Sequence, residues 1–226
     1  MQKQLQDEVA DELEKEQEYD AVESGITELY CCNMEYAYKS TNPNEKIKFY
    51  TAAIKTCPTS STAYCGRGRI YTSQKKYVKA IADFTNSIEL DPEFAPAYYY
   101  RGLAYSIIKL NDNSIKDFTK AILLTSNSKY WPNSESWIDE YTFPLISAYA
   151  QRGFAYYRKS LYREAMDDFN KAIKLTPGTA FEYYIRGLLF ARRQAKDLAI
   201  KDLKKASELD YIPAKKILKK LFNIKY

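Results

Sequence analysis

The chain repeats one phrase four times: a tyrosine, two residues, Arg-Gly, two residues and a second aromatic. It reads Tyr64-Arg67-Gly68-Tyr71, Tyr98-Arg101-Gly102-Tyr105, Tyr149-Arg152-Gly153-Tyr156 and Tyr183-Arg186-Gly187-Phe190. The arginines stand 34, 51 and 34 residues apart, so the middle interval is one period plus 17 inserted residues. A period of this length belongs to stacked helix–turn–helix units. A second phrase follows each of the first: Ala80-Ile81-Asp83-Phe84-Ile88-Pro92, Ile115-Asp117-Phe118-Ala121-Ile122, Ala165-Asp168-Phe169-Ala172-Ile173-Pro177 and Ala199-Ile200-Asp202-Leu203-Ala206.

In the first phrase the aromatic, glycine and aromatic fall at i, i+4 and i+7, one face of a helix. The second places its apolar residues at i, i+1, i+4, i+7 and i+8, again one helical face. Short polar stretches such as Ser73-Gln74-Lys75-Lys76 leave room only for a tight turn between them. Antiparallel helix pairs follow. A mid-helix glycine costs ~1 kcal/mol relative to alanine, so Gly68, Gly102, Gly153 and Gly187 point to close helix approach opposite Ala80, Ser114, Ala165 and Ala199. Each Arg precedes its Asp by 16 residues, which predicts the ion pairs Arg67–Asp83, Arg101–Asp117, Arg152–Asp168 and Arg186–Asp202.

These residues resemble the tetratricopeptide repeat family, whose pattern is an aromatic, a Leu-Gly-like pair, a Tyr, then Ala, Phe, Ala and Pro at fixed offsets. With Tyr64 as the fourth residue of a unit, the units are 61–94, 95–128, 146–179 and 180–213, and a weaker one fits 27–60, where Met34 replaces the glycine. Ser87 and Ser114 replace Ala, Leu203 replaces Phe, and Ser126 and Tyr211 replace Pro. The fold expected is all-α: a right-handed superhelical solenoid of antiparallel helix pairs over 27–213, interrupted by an insert at 129–145. Residues 214–226 then read as a basic capping helix, with Ala214, Ile217, Leu218, Leu221 and Phe222 on one face and Lys215, Lys216, Lys219 and Lys220 toward water.

The net charge of +5 hides an asymmetry. Residues 1–24 hold nine carboxylates against Lys3 and Lys15, a net of −7, which leaves +12 on the rest of the chain. The acidic segment, 1–26, carries Leu5, Val9 and Leu13 at four-residue spacing and reads as a short amphipathic helix, solvated or docked on a basic surface of this chain or a partner. The lysines elsewhere are dispersed and no glycine-rich phosphate loop is present, so no nucleic acid partner is expected. No run of apolar residues approaches the ~18 that suggest a membrane span. With no targeting pattern and with Cys31, Cys32, Cys57 and Cys65 lacking metal-ligand spacing, a cytoplasmic location with reduced thiols is expected.

The chain contains no histidine, which removes the commonest general base and the commonest zinc ligand. Adjacent carboxylates such as Asp167-Asp168 diverge on a helix and cannot share a substrate. No enzymatic role, cofactor or metal is expected.

The family resemblance implies that the concave side, lined by the first helix of each unit, holds a peptide segment or helix of a partner protein. The groove positions carried over are Cys65, Arg69 and Thr72, then Tyr99, Leu103 and Ile107, then Ala150, Phe154, Tyr157 and Arg158, then Phe181, Tyr184, Leu188 and Arg192. The expected strip is apolar and aromatic with basic edges, Tyr and Arg being enriched at binding hot spots. The Lys/Asn/Arg clamp by which one branch of the family reads chaperone tails is absent: its places hold Cys65, Arg69, Tyr100, Ser147 and Gln151. The functions expected are an adaptor, a fixed subunit of a larger complex, or a chaperone-like holder without a carboxylate clamp. The insert adds Trp131 and Trp137, either bracing neighbouring helices or anchoring a partner.

Overall fold

The computed structural model describes residues 24–127, 145–175 and 180–224. The acidic segment up to residue 23 and the insert tryptophans Trp131 and Trp137 lie outside the described residues. Helices account for nearly all of what is described, and no strand occurs among those residues. The chain divides into two compact units, Met1–Pro92 and Glu93–Tyr226.

The first unit contains α1 (24–39), α2 (Pro43–Thr56), α3 (Ser61–Ser73) and α4 (Tyr77–Leu90). Each start has a local cause. Asn42 caps α2 by accepting from the Asn44 amide, with Pro43 in the first turn, and Ser60 caps α3 by accepting from the Ala63 amide at 3.1 Å. The Tyr30 hydroxyl reaches the Ser60 hydroxyl at 2.7 Å and so ties α1 to the start of α3. Pairing of α3 with α4 depends on Gly68: a Cβ there would lie 2.7 Å from the fully buried Phe84 ring. The close approach expected from the sequence is therefore present, and the space is filled chiefly by the aromatic of the second helix.

The second unit pairs α5 (Ala95–Ile107) with α6 (Asn111–Asn127), α7 (Leu145–Arg158) with α8 (Tyr162–Leu175), and α9 (Ala180–Arg192) with α10 (Lys196–Glu208), and α11 (Ile212–Phe222) packs on α10. Helix α6 also packs on α7, and α8 on α9, so the pairs stack. Their interfaces are apolar. Tyr99, Phe118, Ile122 and Ala148 form one cluster, Ala165, Met166, Phe169, Ile185 and Leu189 a second, and Leu203, Ala206, Ala214 and Leu218 a third. Helix α6 is three residues longer than α4 because Ser126 stands where the repeat pattern has Pro; the Ser126 hydroxyl bonds back to the Ile122 carbonyl and the helix continues.

Within each unit the turn between paired helices is closed by one residue in the left-handed region. Lys75, Lys109, Ser160 and Gln194 have φ between 60° and 66°, and each is followed by an amide that reaches back to the carbonyl five residues earlier, as Leu110 does to Tyr105 at 2.9 Å. Helix α11 buries Ala214 and Leu218 and exposes its four lysines, as expected of a cap. Leu221, expected on its apolar face, is instead 51% exposed: it stands three residues beyond Leu218, and Phe222 turns inward in its place.

The four predicted ion pairs are present, each bidentate. Arg67 donates to Asp83 through Nε and Nη2 at 2.8 Å, Arg101 to Asp117 at 2.8 and 2.9 Å, Arg152 to Asp168 at 2.7 Å and Arg186 to Asp202 at 2.6 and 2.9 Å. Two ring faces flank each guanidinium, Tyr149 and Tyr156 at 5.6 and 5.9 Å for Arg152. The remaining Nη1 reaches a neighbouring second helix: Arg67 to Thr51, Arg152 to Thr119 and Arg186 to Asn170. Each of these arginines thus joins three helices.

Candidate functional site

The first helices of the second unit are poor in acid. Neither α5 nor α7 contains Asp or Glu, and the single carboxylate of α9, Glu182, is buried. What α7 and α9 do present is a run of half-buried rings. Phe154 and Tyr157, three residues apart on α7, lie nearly parallel with centroids 6.4 Å apart. Phe154 meets the edge of Phe181 on α9 at 5.8 Å, and Tyr157 tilts against Tyr162 at the start of α8 at 5.9 Å. Phe181 and Tyr184 converge on Tyr211, at 6.3 and 5.0 Å. The run rests on the buried cluster of Met166, Phe169, Ile185 and Leu189, and Leu188 packs beside it. The rings are thereby held against the core while remaining partly exposed. Burial, with Tyr211 and Tyr157 adding to it, raises the Tyr184 hydroxyl pKa.

Two cations border the rings. The Arg158 guanidinium sits 5.6 Å from the Phe154 ring centre and donates to the Ser106 carbonyl at 2.7 Å. Arg192 sits 5.3 Å from Tyr162 and 5.9 Å from Tyr157 and donates to the Tyr162 hydroxyl at 3.0 Å. Neither forms an ion pair among the described residues, although Arg152 and Arg186 on the same two helices are fully engaged with Asp168 and Asp202. Lys159, next to Arg158, pairs with Asp112.

Of the positions expected to line a groove, Phe154, Tyr157, Arg158, Phe181, Tyr184, Leu188 and Arg192 come together here. Tyr99 does not fit the expectation of a partly exposed strip. It is 8% exposed, packed against Phe118 at 5.7 Å, and burial pushes its hydroxyl up to about 12. Leu103 packs half-buried against that same Tyr99–Phe118 cluster. Cys65 is fully buried, with its thiol pushed up to about 12 by burial, and Arg69 is a half-buried residue of the first unit. Sequence reasoning missed Tyr162 and Tyr211. The second had a signal: a tyrosine in the place the repeat pattern gives to proline.

Profiles of the tetratricopeptide repeat match the sequence, one over residues 61–94 and another over 95–128 and 146–179. The chain is a tetratricopeptide repeat protein. Among solved structures it is similar to MamA, at 25% identity and a TM-score of 0.62 over 76% of this chain and 91% of that one. A MamA from Desulfovibrio magneticus RS-1 has 16% identity and a TM-score of 0.67, covering 82% and 95% of the two chains. YrrB, described as a TPR protein with an unusual peptide-binding site, has 22% identity and a TM-score of 0.62, covering 79% and 84%. No curated protein matches the sequence.

In this tetratricopeptide repeat protein the scaffold is one for protein interaction, of a kind generally non-catalytic. No helix among the described residues is long and apolar enough to cross a membrane. No group of three Cys, Asp or Glu side chains arranged to hold a metal occurs among them either.

Proposed function

We propose that this tetratricopeptide repeat protein is a non-catalytic adaptor that holds a peptide segment or helix of a partner protein against the α7–α9 aromatic face. One observation carries the reading: the rings from Tyr162 through Phe154 to Tyr184 form one continuous run of stacked, tilted and edge-to-face contacts that packs against the buried cluster yet stays partly exposed. Rings ordered before binding contribute apolar area at little further entropic cost, the condition under which aromatic anchors become hot spots. A peptide-binding site in YrrB, which has the same fold, agrees with a peptide as the ligand class.

Photo-crosslinking in cells tests this. With benzoylphenylalanine replacing Tyr184, the expected product is an adduct that maps to one segment of one partner. Tyr105, half-buried beside the Arg101 guanidinium, is the control and should give none. Equal labelling from both positions, or none from Tyr184, contradicts the reading.

A further inference from the structure

Arg158 and Arg192 occupy the same register, 34 residues apart, at the thirteenth place of their units. The two preceding strong units hold Ser73 and Ile107 there. Among the four strong units, an arginine therefore recurs at this place only in the two that also carry the aromatic face; the weaker unit 27–60 has Lys39 there, paired with Glu35. Each guanidinium is held over a ring and anchored by one hydrogen bond, to the Ser106 carbonyl or the Tyr162 hydroxyl, which leaves most of its five N–H donors uncommitted. No carboxylate neutralises either one among the described residues, and α5, α7 and α9 offer no exposed acid to do so.

We infer that the segment captured on the α7–α9 face is acidic: apolar or aromatic anchors enter the ring run, and flanking Asp or Glu side chains pair with Arg158 and Arg192. This rests on the reading of that face as the capture site and names the chemistry of its occupant. The warrant is charge complementarity at fixed donors. An ordered guanidinium forms charge-assisted, frequently bidentate bonds to a carboxylate, and little freedom remains to be lost when it does. Where potentials match, wrong partners are rejected: a basic segment would place like charges against two arginines that no carboxylate pairs with among the described residues. Single-stranded nucleic acid is also anionic and aromatic, but ring faces here are taken up by one another and by the guanidinium groups of Arg158 and Arg192, whereas base stacking needs open faces.

The test is selection of a phage-displayed library of random 12-residue peptides on the full chain. Enriched peptides are then synthesised and their affinities measured against the wild type, Phe154→Ala, Leu188→Ala, Arg192→Gln and Arg192→Lys, each verified as folded by circular dichroism. We expect enriched Asp or Glu beside Leu or aromatic anchors, about tenfold weaker binding to Phe154→Ala or Leu188→Ala, and about fivefold weaker binding to Arg192→Gln. Arg192→Lys should restore part of the loss, and affinity should fall as salt is raised. Peptides that need Phe154 or Leu188 but carry no excess acid and ignore Arg192→Gln overturn the acidic specificity while leaving the capture site intact. Peptides indifferent to Phe154→Ala and Leu188→Ala, or no enrichment at all, overturn the site and the inference with it. A fluorescent 12-residue oligothymidylate that binds in a Phe154-dependent way also overturns the inference.

Discussion

Arg152 and Asp168 face each other across the α7–α8 pair in a two-pronged ion pair, both contacts at 2.7 Å, with the aspartate 3% and the arginine 13% exposed. Because Arg152 also reaches Thr119 on α6, this one side chain holds a helix pair together and holds it to its neighbour. Asp168→Asn leaves a largely buried guanidinium without its counter-charge and should cost about 3 kcal/mol. Replacing both residues with apolar ones of similar volume, Arg152→Met with Asp168→Leu, should recover much of that loss. Urea denaturation of the single and double variants checks both expectations.

Gly68→Ala should destabilise the chain, although a helical Gly→Ala change normally stabilises. Alanine is the better helix former by about 1 kcal/mol, but here its Cβ would sit 2.7 Å from the fully buried ring of Phe84, which would have to shift within the core. Overpacking of this kind costs about 1–3 kcal/mol, so a net loss is expected in thermal or chemical unfolding.

At the turn between α5 and α6 the opposite sign is expected. Lys109 is exposed and held at φ 66°, where a Cβ is unfavourable. Lys109→Gly removes that strain at the expense of a more flexible unfolded chain, and a net gain of about 0.5 kcal/mol is expected. The midpoint of urea unfolding should rise with its slope unchanged.

Two buried groups set an alkaline limit. Burial pushes the Cys65 thiol and the Tyr99 hydroxyl, ordinarily at 9.0 and 10.0, up to about 12 in the folded chain. The folded state thus keeps protons that the unfolded state gives up. Their contribution is fully present below about pH 9 and is lost as pH rises toward 12. Tyr99→Phe should flatten that decline between pH 10 and 12. At pH 8, mass spectrometry should find iodoacetamide on the exposed Cys31 and Cys32 but not on Cys65 until the chain is unfolded.

The repeat register was legible because it rests on periodicity, which survives any detail of packing. The Arg–Asp pairs followed from it, since residues 16 apart across a tight helical turn face each other in every unit. What periodicity does not carry is depth. Tyr99 and Tyr184 hold the same place in their units, yet Tyr99 is closed over by Phe118 and α7, whereas Tyr184 meets Tyr211 and remains half-exposed. The difference lies in the neighbours that each place receives, and one of them, Tyr211, departs from the repeat pattern. Leu221 shows the same limit: the spacing put it on the face of α11 that Phe222 turns inward to fill.

That partner capture runs through the α7–α9 face is tested most directly by the affinity of the crosslinked partner segment, made as a peptide, for the wild type and for the Phe154→Ala/Tyr184→Ala double variant. Loss of two central aromatic anchors should weaken binding by about thirtyfold or more while the chain remains folded. Unchanged affinity in a folded double variant would contradict the α7–α9 face as the binding site.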